Sequence, residues 1–167
     1  MTYAKDLFKI KPIRSPFFYI GDKYKLILQL KKYLLNDLDT NLINLHKFLN
    51  LQSNNIKAFF TTLFKVIETY NLSCSFLQKI PPKELRETYK KTYFAKFNKE
   101  NYHKLRDDFN SNKDNMIKLY VLLIYGFNRT LRFNSKGEFN LPVGNVDFNS
   151  NVFNALFHAR EYKYRVL

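Results

Sequence analysis

The chain has 167 residues, of which 46% are hydrophobic and 17% aromatic, a composition that excludes simple disorder and supports a packed domain. With 28 Lys and Arg against 14 Asp and Glu, its net charge of +14 favours a polyanionic partner, nucleic acid before a membrane surface. A bias towards Asn and Lys, typical of AT-rich coding sequences, accounts for part of that charge without any function.

Three helices are predicted in the first half of the chain, after a basic, proline-containing leading segment at 1–21. The first helix runs from Asp22, as its N-cap, to Leu35. One face of it carries Leu26, Ile27, Leu30, Tyr33 and Leu34. The second carries leucines at helical spacing over 38–49, and the third runs from about 55 to 70. The third helix is the expected packing partner of the second.

The stretch 83–109 mixes basic with aromatic side chains, and two interpretations of it stay open. An amphipathic helix would lay its lysines over a Phe/Tyr core face, which we favour. Alternatively, the same side chains would contact the phosphates and bases of a single strand. A buried helix at 114–125 and a last helix at 149–160 complete the predicted helical elements.

One β-hairpin is predicted, because residues 131–141 alternate in polarity on both sides of a turn at Ser135-Lys136-Gly137. Gly137 supplies the turn, as in any hairpin. Tyr162–Leu167 has the pattern of a strand, but the sequence offers it no partner. The chain is therefore expected to be mainly α with one β-hairpin.

The cysteine and histidine content excludes disulfide scaffolds and zinc sites. Cys74 is a single cysteine, and three scattered histidines have no metal-binding spacing. The apolar runs are shorter than the roughly 20 residues that cross a bilayer, and the N-terminus has no signal-peptide stretch. We expect a cytoplasmic protein with no metal and no membrane partner.

Residues 127–144 follow the pattern Asn-x3-Arg-x-Asn-x2-Gly-x-Phe-Asn-x-Pro-x-Gly, which begins at Asn128. This segment resembles the DNA-recognition hairpin of Dam-type DNA adenine-N6 methyltransferases. The resemblance implies a site-specific enzyme of a restriction-modification system. Such an enzyme transfers a methyl group from S-adenosyl-L-methionine to adenine N6 in a GATC-like site of duplex DNA.

The resemblance also assigns roles to hairpin side chains. Arg132 would present two parallel donors to guanine O6 and N7 in the major groove. Phe127 corresponds to the family's intercalating aromatic residue and Asn128 to the amide beside the opened base pair, as expected for an enzyme that extrudes its target base. Pro142 would contact a thymine methyl, and Asn134 completes the DNA-binding set. The alternative is a surface hairpin with ordinary polar side chains.

Two further matches concern the cofactor. The segment Tyr19–Tyr24 is similar to the family's aromatic-x-Gly-Gly-Lys-Tyr motif, which lines the S-adenosylmethionine pocket, with Asp22 in place of the second glycine. Asn36-Asp37-Leu38 is similar to the Asn-Asp-Ile whose carboxylate accepts hydrogen bonds from the cofactor ribose. The alternatives are core packing, a solvated lysine and a helix cap. The cofactor-binding residues that the resemblance implies are Tyr19, Lys23 and Asp37.

Two motifs of this family are missing from the sequence: the Phe-x-x-Pro-Phe-x-Gly-Gly-x-Ser loop and the catalytic Asp-Pro-Pro-Tyr segment. The only double proline, Pro81-Pro82, lies between Ile80 and Lys83 and does not match. The resemblance thus implies an internally deleted and C-terminally truncated relative with no catalytic residue identified, which is inactive alone. Its partners would be duplex DNA and a second polypeptide that carries the catalytic half.

The expected architecture combines an incomplete remnant of an S-adenosylmethionine-dependent methyltransferase α/β (Rossmann-like) fold with a helical DNA-recognition domain. Residues 1–50 would be the remnant of the cofactor-binding region, 51–148 the target-recognition domain with its hairpin at 130–142, and 149–167 the start of the truncated catalytic region. A degenerate DNA-binding module that does not methylate is one alternative. A helical protein that binds single-stranded RNA is another.

Overall fold

The computed structural model describes residues 34–35, 40–159 and 165–166. The predicted leading segment and most of the first helix lie outside the described residues, as do the predicted cofactor-binding residues Tyr19, Lys23 and Asp37.

Helices make up most of the described chain. The predictions of helices at 55–70, 114–125 and 149–160 are confirmed, and the helix predicted over 38–49 begins at Thr40. Asparagine side chains cap two of them, since Asn55 accepts from the Ala58 N–H and Asn115 from the Lys118 N–H. The helices are α1 (Thr40–Gln52), α2 (Ile56–Thr69), α3 (Lys83–Tyr89), α4 (Tyr93–Ser111), α5 (Met116–Tyr125) and α6 (Ser150–Ala159).

A break divides the helix that we predicted across 83–109. The 3-10 turn Lys90–Thr92 separates α3 from α4, and Lys90 has φ 42° and ψ −103°, outside the helical region. The Thr92 hydroxyl donates to the Tyr89 carbonyl at 3.0 Å, a local side-chain bond that competes with the helical pattern. The basic and aromatic residues therefore lie on two helices rather than one.

The only sheet among the described residues is a parallel pair of short strands, β1 (Leu34–Leu35) and β2 (Arg165–Val166). Two predictions are therefore wrong: Leu34 and Leu35 do not end a helix, and the Tyr162–Leu167 strand is not without a partner. A short apolar run suits either a helix or a strand, and pairing between opposite ends of the chain decides between them. The pairing of Leu34–Leu35 with Arg165–Val166 cannot be predicted from the local sequence around either strand.

The predicted hairpin at 130–142 is not confirmed as two strands. Its described residues form a single antiparallel bridge, between Phe133 and Phe139. A second bridge joins Gly126 to Val143, and the ladder does not continue between the two. Positive φ angles of 54° at Asn128 and 53° at Arg129 turn the chain out of the extended conformation at this point.

The hydrophobic core lies around α5, in which every residue from Leu119 to Tyr125 is buried. Such a helix, apolar on all sides, must be surrounded by other elements. The neighbouring elements contribute Leu45 (α1), Leu63 and Ile67 (α2), Leu105 and Phe109 (α4), Phe139 and Leu141 (the segment after α5), and Val152 and Leu156 (α6). The division into domains at 50 and 148 stays a prediction.

Aromatic rings join α2 to α6 and to the segment that precedes α6. The Phe76 and Phe153 rings stack with centroids 4.3 Å apart, and Phe153 also lies 4.6 Å from Phe60. Phe64 meets Phe148 edge-on at 5.3 Å. Aromatic pairs of this kind contribute about 0.5–1.5 kcal/mol each beyond the area that they bury. They fix residue 148 and, through it, the end of the segment after α5.

None of the helices that the structure describes has the length and apolarity needed to cross a membrane. Among the described residues, no His, Cys, Asp and Glu side chains gather into a group that would hold a metal ion.

Candidate nucleic-acid interface

The segment 126–144 leaves α5, turns back and returns to the same point, and we call it the arm. At its base the Phe127 N–H donates to the Pro142 carbonyl at 2.8 Å, and the Gly144 N–H donates to the Tyr125 carbonyl at 2.7 Å. A Cβ atom on Gly144 would lie 2.8 Å from the Gly126 carbonyl oxygen. Glycine at the base therefore allows the two sides of the arm to meet backbone to backbone.

The tip of the arm is a turn organised by Asn134. Its Oδ1 accepts from the Lys136 N–H at 3.0 Å and from the Glu138 N–H at 2.9 Å, while its Nδ2 donates to the Glu138 carboxylate. Gly137 has φ 67° and donates its N–H to the Asn134 carbonyl, so the turn requires the left-handed conformation there. The Asn134 side chain thus holds the turn together.

Side chains from α4 hold the arm against the helical core. Asn110 Nδ2 donates to the Phe139 carbonyl at 3.1 Å, and its Oδ1 accepts from the Phe139 N–H at 2.7 Å. The buried Tyr102 hydroxyl shares its one proton between the carbonyls of Leu122 and Leu141, at 3.3 and 3.2 Å. Burial raises the pKa of Tyr102 well above its ordinary value, so the hydroxyl stays a hydrogen-bond donor.

An exposed aromatic residue lies beside a strained backbone at the base of the arm. Phe127 has 53% of its surface exposed, whereas most of the phenylalanines that the structure describes pack in or against the core. The next residues, Asn128 and Arg129, have φ 54° and 53°. Left-handed conformations of non-glycine residues cost free energy and cluster at functional sites. The Phe127–Arg129 turn therefore presents an aromatic ring and an amide to solvent.

Arg132 lies on the exposed surface of the arm, and its guanidinium is oriented by Asn140. Its Nε donates to Asn140 Oδ1 at 2.8 Å and its Nη2 donates to the Asn140 carbonyl at 2.7 Å. A guanidinium has five N–H donors, so three remain, two on Nη1 and one on Nη2. None of the described residues accepts a hydrogen bond from Nη1.

A basic turn lies next to the base of the arm. The Asn145 side chain donates to the Lys91 carbonyl and accepts from the Ala95 N–H at 3.1 Å, which ties the start of α4 to the chain just beyond the arm. Lys90 and Lys91 are both exposed in this turn. Asn145 therefore holds the positively charged Lys90–Lys91 turn close to the exposed residues of the arm.

The site combines an exposed aromatic residue, an arginine whose Nη1 and second Nη2 donors remain, and adjacent lysines. These features agree with the family that the chain matches. Residues 19–163 match the D12 class N6 adenine-specific DNA methyltransferases. The chain belongs to this family. The enzymes of this family modify DNA, which is a polyanion. The net positive charge of the chain fits such a substrate.

Three curated relatives are modification methylases. Modification methylase LlaI of Lactococcus lactis subsp. lactis is 31% identical over 81% of this chain and 22% of its own length. Modification methylase StsI of Streptococcus sanguinis is 29% identical over 89% of this chain and 23% of its own length. Type II methyltransferase M.FokI of Planomicrobium okeanokoites is 31% identical over 79% and 21%. The chain thus spans less than a quarter of the length of these methyltransferases.

The structure brings the predicted DNA-binding residues of this chain together on one arm. Phe127, Asn128, Arg132 and Pro142 are exposed, while Asn134 is half-buried and bonded within the turn. Their contacts with DNA stay predictions.

Sequence reasoning missed the residues that position the arm. Asn110 and Asn145 bond its backbone and its surroundings, and Asn140 bonds Arg132. Asn140 lies inside the recognised motif, which was the signal available for it. The other two are asparagines in an asparagine-rich chain, so composition conceals them.

Proposed function

We propose that the arm recognises duplex DNA in the major groove and so supplies site recognition for adenine-N6 methylation. The methyl group would come from S-adenosyl-L-methionine and the target would be a GATC-like site. The arm consists of two antiparallel segments of one chain, and it is thin enough to enter the groove, which admits a β-ribbon. The single observation that carries this proposal is the exposed Arg132 fork on an arm that also exposes Phe127.

Base selection would come from Arg132. Its remaining Nη1 and Nη2 donors match the O6 and N7 acceptors of guanine, and a good bidentate contact is worth about 1–3 kcal/mol of discrimination. Pro142 is exposed on the returning side of the arm, where it offers an apolar contact to a thymine methyl. These two residues would define part of the recognised sequence.

Opening of the target base pair would depend on the Phe127–Arg129 turn. An enzyme that modifies adenine N6 must extrude the base from the stack, and an inserted aromatic ring replaces the lost stacking. Phe127 is exposed and follows directly from the buried end of α5, so its backbone is held while its ring is available. Asn128 would place its amide next to the unpaired partner base.

Phosphate contacts would come from the basic residues of α3, α4 and the turn between them. Both helices also carry glutamates, and Lys83 pairs with Glu87 at 3.5 Å on the surface of α3. The turn itself has Lys90 and Lys91 with no acidic neighbour in Lys90–Thr92. Backbone contacts of this kind set affinity and orientation, whereas the arm sets sequence preference.

The cofactor-binding region would lie around the β1–β2 pair. In open α/β sheets, ligands bind beyond the carboxyl ends of parallel strands. Asp37 comes two positions after the end of β1 in the sequence, which supports its assignment to the cofactor ribose. Tyr19 and Lys23 would line the rest of the cofactor pocket. The parallel pair supports the Rossmann-like remnant, because parallel strands belong to larger covered sheets.

Methyl transfer itself would need groups outside these residues. The sequence contains no Asp-Pro-Pro-Tyr segment, so we propose that this chain binds and recognises DNA but does not transfer the methyl group alone. A second polypeptide with the catalytic half would complete the enzyme. The outer edges of β1 and β2 would be its docking edges, since strand edges offer unpaired backbone groups.

The test measures two properties of the same sample. Labelled S-adenosylmethionine is incubated with the full chain and GATC-containing duplex, and duplex binding is recorded by fluorescence anisotropy. We expect binding that weakens steeply with salt, and no methyl transfer. Methyl transfer by the chain alone would contradict the division of labour. A preference for single-stranded RNA over duplex DNA would contradict the arm's role and support contacts through 83–109.

A further inference from the structure

Arg132 and Asn140 are joined by three hydrogen bonds across the arm. Besides the two donated by the guanidinium, the Asn140 N–H donates to the Arg132 carbonyl at 3.1 Å. Backbone pairing therefore fixes the position of the asparagine relative to the arginine. The Oδ1 and main-chain oxygens of one residue then accept from two adjacent donors of the guanidinium, at 2.8 and 2.7 Å.

The choice of donors matters for what Arg132 can still bind. A guanidinium has two bidentate edges: the side edge, formed by Nε–H and one Nη2–H, and the end edge, formed by Nη1–H and the other Nη2–H. Asn140 occupies the side edge. The end edge keeps both of its parallel donors.

We propose that Asn140 is a positioning residue that holds Arg132 with its end edge presented to guanine. The proposal rests on the function proposed above for Arg132. Both Asn140 oxygens, Oδ1 and the carbonyl oxygen, accept from the guanidinium, so the role proposed for Asn140 is exerted through Arg132. It acts by fixing a long, flexible side chain before DNA binds, so that less conformational entropy is lost on binding. Arg132 is exposed, so its side chain gains order from the hydrogen bonds to Asn140.

The test uses the full chain and a duplex enriched from a randomised pool by the wild-type protein. The readout is the Kd for a duplex whose contacted G·C pair is replaced by A·T, divided by the Kd for the enriched duplex; a larger ratio means stronger preference for guanine. Variants are Asn140→Ala, Asn140→Asp, Arg132→Ala and the double variant with alanine at both positions. Ser135→Ala, exposed at the tip of the same arm, is the matched control.

We expect Arg132→Ala to lower the ratio about tenfold, which is the loss of one bidentate contact. Asn140→Ala should lower it about 2- to 10-fold, the range for ordering one flexible side chain. Asn140→Asp keeps the Oδ1 acceptor and should retain the ratio, although its charge weakens binding to every duplex. In the Arg132→Ala background, Asn140→Ala should change the ratio no further.

A purely structural role for Asn140 would move thermal stability and the affinity for all duplexes without moving the ratio. If Asn140→Ala does not fold, Asn140→Ser replaces it, because its hydroxyl is too short to reach Nε. An unchanged ratio for Asn140→Ala or Asn140→Ser, with a lowered ratio for Arg132→Ala, would overturn the positioning role and leave the proposed function intact. An unchanged ratio for Arg132→Ala would overturn the guanine contact itself, and the positioning role with it.

Discussion

The side-chain amide of Asn110 satisfies both backbone hydrogen-bonding groups of Phe139. The amide donates to the carbonyl at 3.1 Å and accepts from the N–H at 2.7 Å, so that α4 takes the place of a neighbouring strand along the arm. The Phe139 ring packs edge-on against Phe109, with centroids 6.2 Å apart. One asparagine and one phenylalanine of α4 therefore hold the arm at a fixed position on the helical core.

Replacement of Asn110 by Ala should lower the free energy of unfolding by about 1–3 kcal/mol, because it leaves a half-buried N–H and C=O of Phe139 without their partners. Urea denaturation measures the change, and hydrogen exchange at the Phe139 amide should accelerate with it. Asn154→Ala, on the exposed surface of α6, is the control and should change stability by less than about 0.5 kcal/mol. Equal losses in the two variants would argue against the role of Asn110.

Replacement of Phe127 by Ala should leave stability almost unchanged, because 53% of the side chain is exposed. It should abolish base-pair opening, which 2-aminopurine at the target adenine reports as increased fluorescence on binding. Leu51→Ala, which removes an exposed apolar side chain from α1, is the control and should keep the fluorescence increase. Opening that persists in the Phe127 variant would remove the intercalation role.

Replacement of Lys90 or Lys91 by Ala should weaken binding to all duplexes alike. Each substitution should reduce the slope of log K against log salt by about 1, because one phosphate contact is lost. Lys57→Ala, which removes an exposed lysine from α2, is the control for the loss of one unit of charge. A slope that Lys57→Ala lowers as much as the turn variants would show that net charge, rather than the turn, carries the affinity.

Alkaline pH should destabilise the protein through Cys74. Burial raises the pKa of this thiol from 9.0 to about 11, so the folded chain keeps the proton that the unfolded chain releases. The stabilisation is therefore full below pH 9 and is lost as pH rises to 11, by about 2–3 kcal/mol for a change of two units. Unfolding by urea at several pH values measures the decline. Cys74→Ala should flatten the slope between pH 9 and 10, and an unchanged slope would contradict the burial effect.

The helical half of the fold could be predicted because apolar spacing is local. The periodic residues of α2, α5 and α6 fixed those helices to within a few positions. The β1–β2 pair could not be predicted, since Leu34 meets Arg165 only through folding of the whole chain. The break at Lys90 was missed because it depends on one hydroxyl, that of Thr92, and on Asn145 from a distant segment.

The candidate site was predictable where its residues belong to one motif. Phe127 and Arg132 lie on the arm that their spacing indicated, and both are exposed. The tip residue Asn134 was placed with the DNA-binding residues, whereas its side chain organises the turn. Anchoring by Asn110 depends on contact with α4, which no spacing within the arm encodes.

The most direct test of base recognition by the arm compares two duplexes that differ only at position 7 of guanine, where a C–H group replaces the nitrogen. One contains a GATC site, and the other contains the same site with 7-deazaguanine, which lacks the N7 acceptor. We predict that the wild-type chain binds the deaza duplex about tenfold more weakly, whereas Arg132→Ala binds both equally. Equal binding of the two duplexes by the wild-type chain would contradict recognition of guanine by Arg132.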